Sequence, residues 1–365
     1  LTKLKTVLRA LLRRPIQWLA ERFSSRPDKE RIFDALSQLL RNLENRPGKD
    51  GFVLPFVPEQ HKFILFSDQH KGARNGADDF VQAEPNYLAA LHHYNQENYH
   101  LICLGDSEEF WENTILQVKR HHQAAFAAER RFADRNAFTK IFGNHDLDWQ
   151  IDLNAQRILK DLYGNQVVAL EAIILRTTIG DKPLDILCTH GHQGDRQSDG
   201  NLMTKFFVAK IWAPLQTYLA VNTNTPSQNS GLKSLHNQLM YEWSCDQHQV
   251  VLITGHTHQP VFASRTELEY QRRKEAEALQ RDNPQWAEAI NAERQWTNIA
   301  GNKYDEDPVP SYFNTGCCCF EDGHITGIEI AEGEIRLIRW SDKTRVVIAS
   351  APLSSIANHL SADFR

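Results

Sequence analysis

Ile141-Phe142-Gly143-Asn144-His145-Asp146 joins a short apolar run to a polar motif, and the same junction recurs four more times along the chain. Asp68-Gln69-His70 follows Phe63-Ile64-Leu65-Phe66, and Gly105-Asp106-Ser107-Glu108-Glu109 follows Leu101-Ile102-Cys103-Leu104. Thr189-His190-Gly191-His192 follows Ile186-Leu187-Cys188, and Gly255-His256-Thr257-His258 follows Val250-Val251-Leu252-Ile253. Short apolar runs rich in β-branched residues read as buried strands. Their polar ends then lie at strand carboxyl termini, where open α/β sheets bind ligands. Tyr87 to Asn95 and Gln117 to Asn136 read as helical crossovers, and Val167 to Ile179 as at least one more strand. This alternation predicts an α/β domain.

Outward from these motifs, residues 3–45 read as two or three helices. Leu4, Leu8, Leu12, Ile16 and Leu19 form one apolar stripe, and Ile32, Leu36, Leu39, Leu40 and Leu43 form another. Arg46 to Pro58, with three prolines and two glycines, reads as a connection. We therefore expect an N-terminal helical extension at 1–58, a main domain at 59–345 and a C-terminal tail at 346–365. Two helical insertions are expected in the main domain. The first, 198–246, carries Phe206, Phe207, Ile211, Trp212, Leu215, Tyr218 and Leu219 at helical spacing; the second, 263–300, is dense in Glu, Arg and Gln. Strands resume with Tyr312-Phe313-Asn314-Thr315-Gly316, followed by Ile325 to Ile330 and Glu334 to Trp340 around a Glu332-Gly333 turn.

A chain of 365 residues, 41% hydrophobic, can bury a full core. It has no run of about 18 uncharged apolar residues that would cross a membrane, and charges interrupt the apolar runs near its start, unlike a secretory signal. The six cysteines include the consecutive Cys317, Cys318 and Cys319 and no CxxC spacing, so neither a disulfide framework nor a zinc knuckle is indicated. A reducing, cytoplasmic setting is expected. The net charge of −5 gives no reason to expect nucleic acid as a partner. Residues 1–26, however, hold seven Lys/Arg against one Glu beside their apolar stripe. That combination suits peripheral contact with the inner face of an anionic membrane; packing of the stripe on the core is the competing expectation.

Each motif alone is weak, but five in order, each after a strand, supply Asp, Asn and His donors. Such donors suit Mn, Fe, Zn or Ni. Hydrolysis of a phosphate ester at neutral pH needs a strong nucleophile and neutralisation of the phosphoryl oxygens. Two divalent ions roughly 3.5–4 Å apart provide both. Such a centre needs a bridging carboxylate, for which Asp106 is the candidate.

The five motifs resemble those of the calcineurin-like metallophosphoesterases over residues 61–345. The resemblance implies a four-layer αββα sandwich of two mixed β-sheets and two divalent metal ions. Asp68, His70 and His258 would hold one ion, Asn144, His190 and His256 the other, with Asp106 shared. His145 would lie over the substrate phosphate as electrostatic stabiliser or general acid, its ring oriented by Asp146. Glu109 aligns with the acidic residue closing the family's second motif, with Glu108 and Glu112 as competitors. Arg74, Asn75 and Arg196 either contact phosphate or are ordinary loop residues, and His192 either faces the site or belongs to the core.

The implied activity is metal-dependent hydrolysis of a phosphodiester or pyrophosphate in a small-molecule or lipid-linked substrate. A phosphomonoesterase and a non-catalytic scaffold of the same fold are the alternatives. Gly105-Asp106-Ser107-Glu108-Glu109 departs from the GDxVDRG pattern of protein Ser/Thr phosphatases. The 198–246 insertion lies where UDP-diacylglucosamine pyrophosphohydrolases carry a lid for acyl chains. His190-Gly191-His192-Gln193-Gly194-Asp195 loosely resembles the motif of those enzymes. They carry Arg where this chain has His145, and they lack its N-terminal helices and second insertion.

Overall fold

The computed structural model describes residues 27–48, 50–75, 78–152, 154–164, 167–194, 230–266 and 308–361. The apolar stripe of residues 1–26, the aromatic run of the first insertion from Phe206 to Leu219, Arg196 and residues 267–300 lie outside them.

In chain order the strands are β1 (Gly51–Pro55), β2 (Phe63–Phe66), β3 (His100–Leu104), β4 (Phe138–Ile141), β5 (Ala169–Leu170), β6 (Ala172–Ile179) and β7 (Lys182–Thr189). They continue as β8 (Val250–Thr254), β9 (Val261–Phe262), β10 (Arg265–Thr266), β11 (Tyr312–Asn314), β12 (Ile325–Ala331), β13 (Glu334–Ser341) and β14 (Thr344–Pro352). Among the described residues they build two seven-stranded sheets, ordered β1-β6-β7-β8-β11-β9-β10 and β14-β13-β12-β2-β3-β4-β5. Both are mixed: β2, β3, β4 and β5 run parallel while β12, β13 and β14 join them antiparallel.

The near-continuous apolar runs are explained by burial on both faces. Side chains alternate along a strand. Phe63, Leu65, Ile102 and Leu104 therefore meet Ile173, Leu175, Ile186, Cys188, Val251 and Ile253 in one core between the sheets. Ile64, Phe66, Leu101 and Cys103 point outward beneath the helices Glu84–Gln96 and Gln123–Ala133. On the opposite outer face, Ile174, Leu187 and Leu252 lie under the helices Lys29–Asn45 and Ser230–Cys245. The result is helices, sheet, sheet, helices, the sandwich expected from the sequence.

Several expected boundaries fall elsewhere. The helix Lys29–Asn45, capped by Asp28 on the Arg31 backbone N–H, buries Ile32, Leu36, Leu39 and Leu43, each worth about 1.5–3 kcal/mol of hydrophobic stabilisation. With β1, which pairs with β6, it is therefore part of the sandwich and not an appendage before residue 59. The expected tail is also structured: β14 pairs along β13, and the helix Leu353–Ser361 inserts Leu353, Ile356, Ala357 and Leu360 into the core between the sheets. The single crossover expected over Gln117–Asn136 is two helices, Ile115–His121 and Gln123–Ala133, broken at His122. That ring is fully buried against Asp78, with Nε2 at 2.8 Å from Oδ2.

Candidate metal centre

The motifs after β2, β3, β4, β7 and β8 converge where the two sheets deliver their carboxyl ends. Asp68 and His70 donate backbone N–H groups to the Gly105 and Asp106 carbonyls, each at 3.0 Å, which zips the first loop to the second. Gly255 donates to the His190 carbonyl at 2.9 Å, joining the fourth and fifth. Two glycines permit the close approach: a Cβ at Gly143 would collide with Asp106 and His190, and one at Gly255 with Ser67 and Asp68. Asp68, His70, Asp106, His256 and His258 all have positive φ, between 48° and 68°. Asp and His enter this region more readily than most residues, yet five such positions in one cluster are retained only where the surroundings over-determine them.

Donor atoms crowd together. His258 Nε2 is 3.2 Å from Asp68 Oδ1 and 3.2 Å from His70 Nε2, and His70 Nε2 lies 3.8 Å from Asp68 Oδ1 and 3.9 Å from Asp106 Oδ2. On the other side of Asp106, His190 Nε2 is 3.1 Å from Oδ2. Asp68, His70 and Asp106 form one possible ligand set, and Asp106, His190 and His256 another. Asp106 therefore belongs to both.

Whether these residues fit a divalent pair is tested by their hydrogen bonds. Asp68 Oδ1, Asn144 Oδ1, His190 Nε2 and His256 Nε2 are buried polar atoms with no hydrogen-bond partner. An orphaned buried polar atom costs about 1–3 kcal/mol. His190 Nε2 and Asp68 Oδ1 are orphaned despite those 3.1 and 3.2 Å approaches, so neighbouring donors stand side by side and not aimed at each other. Ligand atoms sharing one ion at about 2.0–2.2 Å are spaced in this way, roughly 3 Å apart. The outer partners agree. His190 Nδ1 donates to the Leu104 carbonyl at 2.9 Å and His70 Nδ1 bonds Glu109 Oε2 at 3.0 Å, so each ring, on giving up its second proton to an ion, would present its Nε2 lone pair inward. The set fits.

The electrostatics follow from the same packing. Burial works against ionised Asp68 and Asp106, but His258 and His70 around the first, and His190, His145 and His70 around the second, hold both carboxyls well below the usual range. Burial likewise opposes a charged His190, yet Asp106 raises that ring to about 9. Burial and the neighbouring His190 and His236 push His256 far down. Opposite shifts on adjacent rings are the response of a crowded cationic cluster around two carboxylates.

His145 sits beside the ligands. Its backbone N–H donates to Asp106 Oδ1 at 2.8 Å, its Nδ1 lies 2.7 Å from Glu109 Oε2, and its ring stacks on Trp111 with centroids 3.8 Å apart. Here the geometry corrects one expectation: Glu109, not Asp146, orients the ring. Asp146 is fully buried and its carboxylate accepts the backbone N–H groups of Asp106, Ser107 and Gly143, stapling the second motif to the third. Burial raises its pKa to about 7 against the opposing pull of Lys140.

The expected phosphate contacts fare differently. Arg74 is occupied, its guanidinium paired with Glu84 and donating to the His121 carbonyl, so it does not face the ligand cluster as a free cation. Asn75 donates to Asn113 Oδ1 at 3.3 Å. His192 is buried, its ring 5.5 Å from that of His190 and 6.3 Å from that of Phe142 between centroids. Arg196 lies outside the described residues.

Sequence reasoning missed three neighbours. Cys319 Sγ is 3.7 Å from His258 Nδ1. His236 donates through Nε2 to the Gly191 carbonyl at 2.8 Å, which places the proton on that nitrogen, and packs 5.2 Å from the His256 ring. Trp111 is the third, and the aromatic pair directly after Glu109 was its only signal.

No curated protein matches this chain. A solved structure, that of a point mutant of a cold-active protein tyrosine phosphatase, aligns over 81% of this chain and 82% of its own at 11% identity. Its TM-score of 0.33 is too low to bear on function. The sequence model of the calcineurin-like phosphoesterases matches residues 61–260, the stretch that carries all five motifs. Divalent-metal chemistry on phosphoesters is the work of that family, and the chain belongs to it: it is a calcineurin-like phosphoesterase.

Proposed function

We propose that the protein hydrolyses a phosphodiester or pyrophosphate bond at a dinuclear centre, with Asp68, His70, His258 and Asp106 around one ion and Asn144, His190, His256 and Asp106 around the other. When bound, such ions neutralise the phosphoryl oxygens and supply a nucleophile at neutral pH. The observation that carries the reading is the set of unpartnered buried donor atoms on both sides of Asp106.

The chain's own groups would do the rest. With Nδ1 held by Glu109, Nε2 is the ring nitrogen of His145 left to give a proton to the leaving oxygen. Burial opposes a charged His145, but Glu109 and Asp106 outweigh it and raise the pKa above the ordinary value, which keeps that proton in place near neutrality. Leu104 and Glu109 fix the tautomers of His190 and His70.

Protein reconstituted with Mn²⁺ and compared on p-nitrophenyl phosphate, bis-p-nitrophenyl phosphate, a nucleoside diphosphate-sugar and its acylated form tests this. The diester or the pyrophosphate should lead. A monoester in first place refutes the substrate reading, and no turnover on any of the four refutes the catalytic one. His145→Ala should keep its metal and lose kcat, most for poor leaving groups.

A further inference from the structure

Three consecutive residues close on the dipeptide Asn144-His145. The Phe110 backbone N–H donates to the His145 carbonyl at 3.1 Å, and Glu109 Oε2 holds His145 Nδ1. Trp111 lays its indole on the imidazole, planes 19° apart, and its Nε1–H donates to the Asn144 carbonyl at 2.9 Å. The Trp111 backbone N–H donates to Glu109 Oε1 at 3.2 Å, so the carboxylate that grips the ring is itself gripped.

These contacts do different things. The Phe110 bond is backbone and asks nothing of the side chain. The Glu109 bond fixes where Nδ1 points but tolerates a tilt of the ring about that bond, because hydrogen-bond directionality is broad. A flat indole against the imidazole face restricts the tilt, and the edge-to-face contact of His70 with the same ring, 4.7 Å between centroids, adds a second restraint. The indole in turn is tethered through its only donor to the carbonyl of the residue before His145. Plane and anchor are thus set by one side chain, which presents a broad face to the imidazole and a donor on its edge to the Asn144 carbonyl.

We propose that Trp111 is a positioning residue for His145: its stacked and tethered indole holds the imidazole in the plane from which Nε2 can reach the leaving oxygen. The proposal rests on the acid role given to His145 above. Misplacement of a reacting group by about 1 Å can cost about 100-fold in rate, so the effect should appear in kcat with little change in KM.

The test uses the full chain loaded with Mn²⁺ and carrying Trp111→Ala or Trp111→Phe, each alone and combined with His145→Ala. Bis-p-nitrophenyl phosphate and diphenyl phosphate serve as good and poor leaving-group substrates. Trp111→Ala should lower kcat about 10- to 100-fold, more on the diphenyl ester, with bound metal unchanged. Trp111→Phe, which keeps a ring but loses the tether, should lose less. With His145 already removed, neither change should cost anything further, since the two act through one group. Equal losses in both backgrounds, or metal lost along with activity, would show that Trp111 only supports the loop and would overturn the proposal. A second readout is independent of turnover. In the zinc-loaded protein the indole ring current should displace the His145 ring proton resonances, and Trp111→Ala and Trp111→Phe should shift them. Resonances unmoved by both overturn the placement. A His145→Ala protein with full activity overturns the acid role instead, whatever the resonances do.

Discussion

Glu109 Oε2 lies 2.7 Å from Nδ1 of His145 and only 3.0 Å from Nδ1 of His70, so a single carboxylate oxygen orients the candidate acid and a candidate metal ligand together. Burial opposes its charge, but the two rings win and hold its pKa at about 2. Glu109→Gln keeps the shape and removes the anion. Metal affinity should fall about 10- to 100-fold, as it does when other outer partners of ligating histidines are lost. kcat at saturating metal should fall as well, because His145 loses the same partner. Competition with a chelator reads the first effect and metal-saturated kinetics the second. Unchanged metal affinity would mean that His70 does not depend on Glu109.

Asp106 reaches toward His190 with Oδ2 and receives the His145 backbone N–H on Oδ1. A change there damages both candidate coordination spheres. Asp106→Asn is expected to retain the fold, lose most bound metal and lose nearly all activity. Elemental analysis of the dialysed protein decides it: two ions per chain in the variant would remove Asp106 from the bridging position.

The strand ends were readable because each polar motif interrupts a run buried on both faces, and such runs have no helical period to confuse them. Which of two adjacent carboxylates serves the site was not. Glu108 and Glu109 are neighbours with opposite fates: one turns inward between Lys71 and Lys140, the other faces His145. The choice depends on the direction in which the chain leaves β3. Arg74 resembled a phosphate ligand because its capture by Glu84 is a tertiary event. Asp146 misled for a related reason, since its backbone partners at Asp106 and Ser107 arrive from another loop. The last strand was overlooked because Val346 and Val347 are 50% and 40% exposed, so the edge strand shows no buried alternation.

Behind the site, Lys71 and Lys140 are wholly buried with Glu108 and Glu129. Lys71 Nζ is 2.7 Å from Glu129 and 3.2 Å from Glu108, and Lys140 Nζ is 2.9 Å from Glu108. Trp149 Nε1 donates to Glu108, and the Tyr87 and Tyr163 hydroxyls donate to Glu129, so the carboxylates are fully engaged. Glu108→Leu strands the Lys140 ammonium and should cost about 3–5 kcal/mol. Adding Lys140→Met removes the stranded charge and should restore part of the loss, while Lys71 keeps Glu129. Urea unfolding of the metal-free proteins measures both. A double variant less stable than the single would contradict the ion-pair account.

His236 is one source of a pH-dependent stability. Burial drives its pKa from 6.5 to about 4, against the Gly191 carbonyl, which favours the proton, and with a smaller push from His190. Because the folded value lies below the unfolded one, the unfolded chain binds more protons between them. The contribution of the neutral ring is therefore whole above about pH 6.5 and is lost as the pH falls toward 4, amounting to about 3 kcal/mol in all. His236→Gln retains a donor for Gly191 and removes the titration. Metal-free wild type and variant should differ in unfolding free energy by an amount that changes with pH, the variant gaining relative to wild type between about pH 7.5 and about pH 4.5. A difference that stays constant over that interval would assign the acid sensitivity of the fold to other groups.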